Sequence, residues 1–334
     1  MSPFVSSLRR PLRPVNRSGS RPLDSLAHAS HERVRNPTLQ YKDFPPGWGH
    51  IRVPLSSKRA ALAGLSLYAP CRSAGLWAQR AAALCVAIGG PRALLGAAVP
   101  WFPMAEEEWT ELLDTWRRDL GAFDDMAGYS RLQASRPGLA VLLLCKGSPT
   151  AFVKLQPCER GTLSRERIAL EAVWNYRPRS FVAPEPLLSG SVSGWQYLAM
   201  SPIRGGLHRP PCSPPLAAIL EEIDAALAGL PRSTDVPNHW RPMHGDFTPW
   251  NLREFRGGSL TLLDWENAAW APPGADQVFY LATAAALWNR GPDRCEAAEA
   301  VRFWRGRVLE QNGTARDQRL ARALGAALSR MAGS

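Results

Sequence analysis

Between residues 104 and 120, Trp109, Leu112, Leu113, Trp116 and Leu120 fall at helical spacing, which predicts a helix with one buried face. Its acids, Glu106, Glu107, Glu108, Glu111 and Asp114, lie toward the start, where they complement the helix dipole. Upstream, the pattern predicts three more helices. One opens at Ser56-Ser57, one runs from Ser73 to Ile88 and stops at Gly89-Gly90, and a short one begins at Pro91. After Gly128 the period changes from helical to alternating. Tyr129 to Ser135, Ala140 to Lys146 and Ala151 to Gln156 read as an antiparallel meander, broken at Arg136-Pro137-Gly138 and Gly147-Ser148-Pro149. A helix capped by Ser164 follows to Tyr176, then strands at Glu185 to Ser189 and Trp195 to Met200.

The run Ser201-Pro202-Ile203-Arg204-Gly205-Gly206 can continue neither a strand nor a helix and reads as a hinge. Pro202 has no backbone donor to offer there. Beyond it the pattern is helical at Pro215 to Leu230, Ala275 to Trp288, Arg294 to Gln311 and Thr314 to Met331. The expected fold class is therefore α+β and two-lobed: a small antiparallel sheet lobe, a helical lobe, and a cleft between them. Four segments follow: an arm over 1–42, a helical N-terminal extension over 43–125, a small lobe over 126–200 and a helical lobe over 201–334.

Composition refines this picture in two places. The 334 residues are 45% hydrophobic, which excludes wholesale disorder. The formal charge of +11 is concentrated in the arm, where eight basic residues face only Asp24 and Glu32. That arm is rich in Ser, Pro and Arg and lacks apolar periodicity, so it reads as disordered; organelle transit peptides share this composition. Basic charge permits an anionic partner, but no nucleic-acid-binding module is recognisable. The six cysteines form no CxxC, which points to neither zinc nor disulfides and to a reducing, cytoplasmic location. The most apolar stretch, Ala81 to Phe102, is broken by Gly89, Gly90, Pro91 and Arg92 and is not a membrane span.

The chemistry concentrates in MHGDFTPWNLR at 243–253, followed by the apolar run Leu260 to Leu263 and then Asp264-Trp265-Glu266. Phosphoryl transfer needs an acid that orients or deprotonates the acceptor hydroxyl, close to but not on the metal. Asp246 fits that task. Asn251 and Asp264 supply the oxygen ligands that Mg2+ demands, with Glu266 beside them. Lys154, in the strand AFVKLQ, shares a face with Phe152 and Gln156 and is the candidate cation for the phosphates.

His244-Gly245-Asp246 to Asn251, with Asp264 to Glu266 and the later Gly274-Ala275-Asp276, resembles the aminoglycoside phosphotransferase-like (choline kinase-like) family of protein-kinase-like fold. The resemblance spans roughly residues 128–290. It implies a protein-kinase-like fold, ATP or GTP with Mg2+ as cofactors, and transfer of the γ-phosphate to a hydroxyl of a small molecule. It also implies an acidic partner for Lys154 on the next helix: Glu166, with Glu171 as the fallback. Asp276 is expected to be structural, and Trp250 and Trp265 to be core aromatics. The loop Ala134 to Gly138 has a single glycine and departs from a phosphate-wrapping loop. Nine arginines against six acids from Ala271 onward disfavour a polycationic acceptor. A catalytically inactive kinase-fold docking module is the alternative; HGD in place of HRD disfavours a protein kinase.

Overall fold

The computed structural model describes residues 39–332 apart from 48, 102, 131–137, 204–205, 256, 289–296 and 310–314. In chain order the first elements are β1 (Gln40–Phe44), β2 (Ile51–Pro54), α1 (Lys58–Ser66), α2 (Ser73–Gly89), β3 (Val99–Pro100) and α3 (Glu106–Leu120). They are followed by β4 (Asp125–Ser130), β5 (Leu139–Cys145), β6 (Ser148–Pro157), α4 (Thr162–Tyr176), β7 (Pro186–Val192) and β8 (Trp195–Met200). All eight strands form one sheet in the order β3-β1-β2-β4-β5-β6-β8-β7.

The segment 43–125 holds the expected helices and, in addition, three strands that extend the sheet past β4. Strands of two to five residues carry too few alternations to stand out from a loop. The expected arm over 1–42 also ends earlier than its composition implies. Tyr41 in β1 is buried, and Lys42 Nζ donates to the carbonyls of Arg92 (2.8 Å) and Leu94 (2.5 Å). The rest of the arm, residues 1–38, lies outside the described residues, as do Ala134 to Pro137 of the expected phosphate loop and Cys295.

The two faces of the sheet bury different partners. Val141, Leu143, Val153 and Leu155 pack beneath α3, whose Trp109, Leu112, Leu113 and Trp116 form the predicted apolar face. The acids at the start of α3 are partly engaged by the β7–β8 hairpin: Ser193 Oγ donates to Glu111 (2.5 Å) and Trp195 Nε1 to Glu108 (3.3 Å). The opposite face carries Ala127, Leu142 and Phe152, and α1 lies against it through Ala60 and Ala63. Helix α1 begins where sequence places it, with Ser57 Oγ accepting from the Ala60 amide at 3.1 Å. Gly64 lets it approach closely, because a Cβ there would sit 2.9 Å from the Pro54 ring. Helix α4 starts at Thr162 after Gly161 in the left-handed region, so the expected Ser164 cap is not formed; Ser164 Oγ instead accepts from Gln196 (2.9 Å).

Past the connection after Met200 the chain forms α5 (Leu216–Leu227), β9 (Arg241–Met243), β10 (Leu252–Glu254), β11 (Leu260–Leu262), β12 (Ala269–Ala271), α6 (Ala275–Trp288), α7 (Ala298–Leu309) and α8 (Ala315–Ala332). Strands β10 and β11 pair antiparallel, as do β12 and β9. One core joins α4, α5 and the two strands β10 and β11; a second joins α6, α7 and α8. The architecture is the expected α+β plan of an antiparallel sheet lobe and a helical lobe. Among the described residues, no helix is long and apolar enough to cross a membrane.

Candidate active site

Strand β6 places Lys154 on the sheet face that turns toward the helical lobe. Its Nζ donates to Glu166 (2.6 Å) and to Asp264 (2.5 Å). Glu166 is 1% exposed and lies on the same stripe of α4 as Leu163, Ala169, Leu170 and Val173. Burial pushes its carboxyl up, against the pull of Lys154, while Asp264 adds to the push. Glu171 points outward and accepts from Arg167 at 2.5 Å, so Glu166 is the partner of Lys154. Glu166 is the fifth residue of α4, past the first turn, and its acid is held by the ion pair rather than by the helix dipole.

The loop after β9 carries the motif. His244 and Gly245 amides both donate to the buried Asp276 carboxylate, at 2.6 and 3.0 Å. The Asp246 amide donates to His244 Nδ1 (3.1 Å), and His244 Nε2 lies 3.0 Å from the Leu263 carbonyl. A backbone amide can only donate and a carbonyl can only accept, so the imidazole is neutral with its proton on Nε2. The motif is thereby tied at one end to α6 and at the other to the residue before Asp264. Asn251 Nδ2 donates to the Asp246 carbonyl (2.9 Å) and to its Oδ2 (3.0 Å), which fixes the carboxylate and leaves Asn251 Oδ1 for a cation. Asp264 itself adopts φ +68°, a left-handed conformation that Asp tolerates better than most side chains.

Ligand atoms of Glu166, Asp264 and Glu266 all lie within 4.8 Å of one another. Glu166 Oε2 is buried without a hydrogen-bond partner. Three carboxylates around one ammonium leave an excess of negative charge, and the donors are all oxygen. The residues present therefore fit a hard divalent cation such as Mg2+.

Residues 206–302 match the phosphotransferase enzyme family. That match takes in the 244–251 run, Asp264, Glu266 and Asp276, and it bears out the resemblance read from those residues. Lys154 and Glu166 lie outside it. No curated protein matches the chain. Among solved structures, the GDP complex of a point mutant of aminoglycoside 2'-phosphotransferase-IIIa is similar at 17% identity and a TM-score of 0.48, over 69% of this chain and 98% of that one. An aminoglycoside phosphotransferase from Streptomyces rimosus bound to ADP and streptomycin is similar at 15% identity and a TM-score of 0.38, over 67% and 98%. A putative fructosamine-3-kinase from Haemophilus somnus is similar at 9% identity and a TM-score of 0.39, over 67% and 97%.

Gly245, within the matched residues, has a steric reason. It sits at φ +81°, and an added Cβ would collide with the Asn267 carbonyl. Gly245→Ala is expected to cost about 3 kcal/mol or more, since backbone strain and a backbone clash combine. A urea unfolding midpoint unchanged from wild type would contradict this.

Two buried histidines make stability depend on pH. Burial lowers both His244 and His208 to about 4, with the nearby Arg253 adding to the shift of His208. The unfolded chain takes up these protons from about pH 6.5 downward, the folded protein only near pH 4. Their stabilisation is therefore complete above pH 6.5 and is lost as pH falls toward 4. Asp276, pushed up to about 6 by burial, acts oppositely: its contribution is present at low pH and is lost as pH rises through 6. Together the three groups should remove on the order of 2 kcal/mol between pH 7 and pH 5. Urea midpoints across that range measure it, and a higher midpoint at pH 5 would sink the assignment.

Glu266, which the sequence sets beside the oxygen ligands, is buried at the acidic cluster. The sequence offered no reading of Arg253, a fully buried arginine two residues past Asn251. For Glu166 a signal was present: an acid on an otherwise apolar helical stripe needs a buried partner. Trp265 is a core aromatic as expected, 4.5 Å from the His244 ring, whereas Trp250 is only partly buried.

Proposed function

We propose that the protein is a Mg2+- and nucleoside-triphosphate-dependent phosphotransferase that moves a γ-phosphate to a hydroxyl of a small molecule. The observation that carries this is the convergence of Lys154, Glu166 and Asp264 with the Asp246–Asn251 pair, from three separate stretches of chain. Lys154, oriented by Glu166, grips the phosphates. Asn251 and Asp264 offer oxygens to the metal, which when bound neutralises charge on the phosphates. Asp246, fixed by Asn251, receives the acceptor hydroxyl and orients or takes its proton.

The donor is ATP or GTP. The acceptor is a neutral or anionic small molecule, because the chain from Ala271 onward carries nine arginines against six acids. Phosphate release from Mg2+-ATP and Mg2+-GTP, with water as default acceptor, tests the proposal, followed by an acceptor screen. Metal-dependent release supports it; neither release nor nucleotide binding counts against it. The second reading, a kinase-fold docking module without activity, is favoured by one observation: α1 packs on the sheet face that carries Lys154.

A further inference from the structure

Helix α1 lies on the sheet face that carries Lys154. This argument rests on the assignment of Lys154 to the phosphates. A nucleotide whose phosphates reach Lys154 must run along the same sheet face, toward either Gln156 or Phe152. The Gln156 end is closed, because that side chain is buried and hydrogen-bonded with Thr162 at 2.6 Å. The base would therefore extend toward Phe152, which pairs with Met200 where β8 leaves the sheet for the helical lobe.

Phe152 is the roof of that space, and α1 lies against it. Ala60 and Ala63 form a cluster with Leu142 and Ala127, onto which Phe152 and Leu67 pack. The floor is set by β10. Leu252 points into the helical core, so by alternation Asn251 and Arg253 face the site. Arg253 is fully buried, and among the described residues no carboxylate bonds to it. Its Nη2 donates to the carbonyls of Pro70 and His208 (both 3.2 Å), its Nη1 to Cys71 Sγ (3.6 Å) and its Nε to His208 Nδ1 (2.8 Å). His208 Nε2 in turn donates to the Ser66 carbonyl (2.9 Å), and Trp288 Nε1 donates to the Cys71 carbonyl (3.3 Å).

We infer that residues 58–72, the helix α1 and the connection after it, are an intramolecular plug in the base end of the nucleotide cleft, latched to the floor by Arg253 and His208. Nucleotide binds only when this segment withdraws. The buried bonds from the Arg253 guanidinium are charge-assisted, so the segment is held firmly. The apparent affinity for nucleotide is then the intrinsic affinity reduced by the small fraction of molecules with the plug out.

Two measurements on the full chain test this. Hydrogen exchange of wild type is followed with and without saturating Mg2+-ATP, and Mg2+-ATP affinity is measured for wild type, Arg253→Leu and Leu67→Asp. The first variant removes the latch from the floor; the second sets a charge at the edge of the cluster on which Phe152 also packs. Amides of 58–72 should exchange at least about tenfold faster with nucleotide bound, and both variants should bind about tenfold to a hundredfold more tightly. If either variant fails to fold, the wild-type exchange decides. Nucleotide bound with 58–72 still protected would overturn the plug and leave the phosphotransferase proposal standing. No binding by any of the three, with 58–72 exchanging freely in Leu67→Asp, would overturn the plug and remove the nucleotide donor from the proposed function as well.

Discussion

Asp246→Asn is expected to lower phosphoryl transfer by about 10²–10⁴-fold, the usual range for a positioned acid or base, with nucleotide affinity little changed. The substitution keeps the size of the side chain. The bond from Asn251 Nδ2 to the Asp246 carbonyl (2.9 Å) does not depend on the carboxylate, and neither does the Asp246 amide bond to His244 Nδ1 (3.1 Å). The loop should therefore hold its shape while losing only the group that accepts the hydroxyl proton. Both proteins carry the same α1 segment, so the ratio of their turnover numbers is unaffected by how often the cleft is open. Phosphate release under saturating Mg2+-ATP measures it, and equal losses in binding and turnover would assign Asp246 to ligand binding instead.

Asp264→Ala should abolish the Mg2+-dependent part of nucleotide binding. Asp264 is the meeting point of two demands: it accepts from Lys154 at 2.5 Å, and it belongs with Glu166 and Glu266 to the cluster of oxygen ligands. Its removal takes away one anionic ligand and leaves Lys154 to Glu166 alone. Nucleotide titrations with and without Mg2+ separate these effects. A metal-dependent gain in affinity that survives the substitution would move the cation site to Asn251 and Glu266.

The most legible parts of the chain were those in which one residue type at one spacing serves one purpose. Trp109, Leu112, Leu113 and Trp116 read as a buried face and are one, because a helix repeats every few residues whatever lies opposite it. Gly245 and Asp246 read as a turn beside an acid, and the backbone turns there, with Gly245 at φ +81°. Strands β1, β2 and β3 were not legible, because they are two to five residues long and are stabilised by neighbours distant in sequence. The choice between Glu166 and Glu171 was open in sequence, since both lie on the same helix; packing of α4 against the helical core decided it.

Arg253 marks the sharpest division. In sequence it is one arginine among many, next to a recognisable motif. In the fold it is buried against Pro70, Cys71 and His208, residues brought together from far along the chain. The candidate site residues, the helical and alternating periods and the two-lobed order of elements could be read from residue chemistry and short-range spacing alone. Only the tertiary structure decided that the N-terminal strands join the sheet and that α1 lies on the face bearing Lys154. Which segment fills a cleft depends on long-range packing, where many apolar helices are interchangeable until their neighbours are fixed.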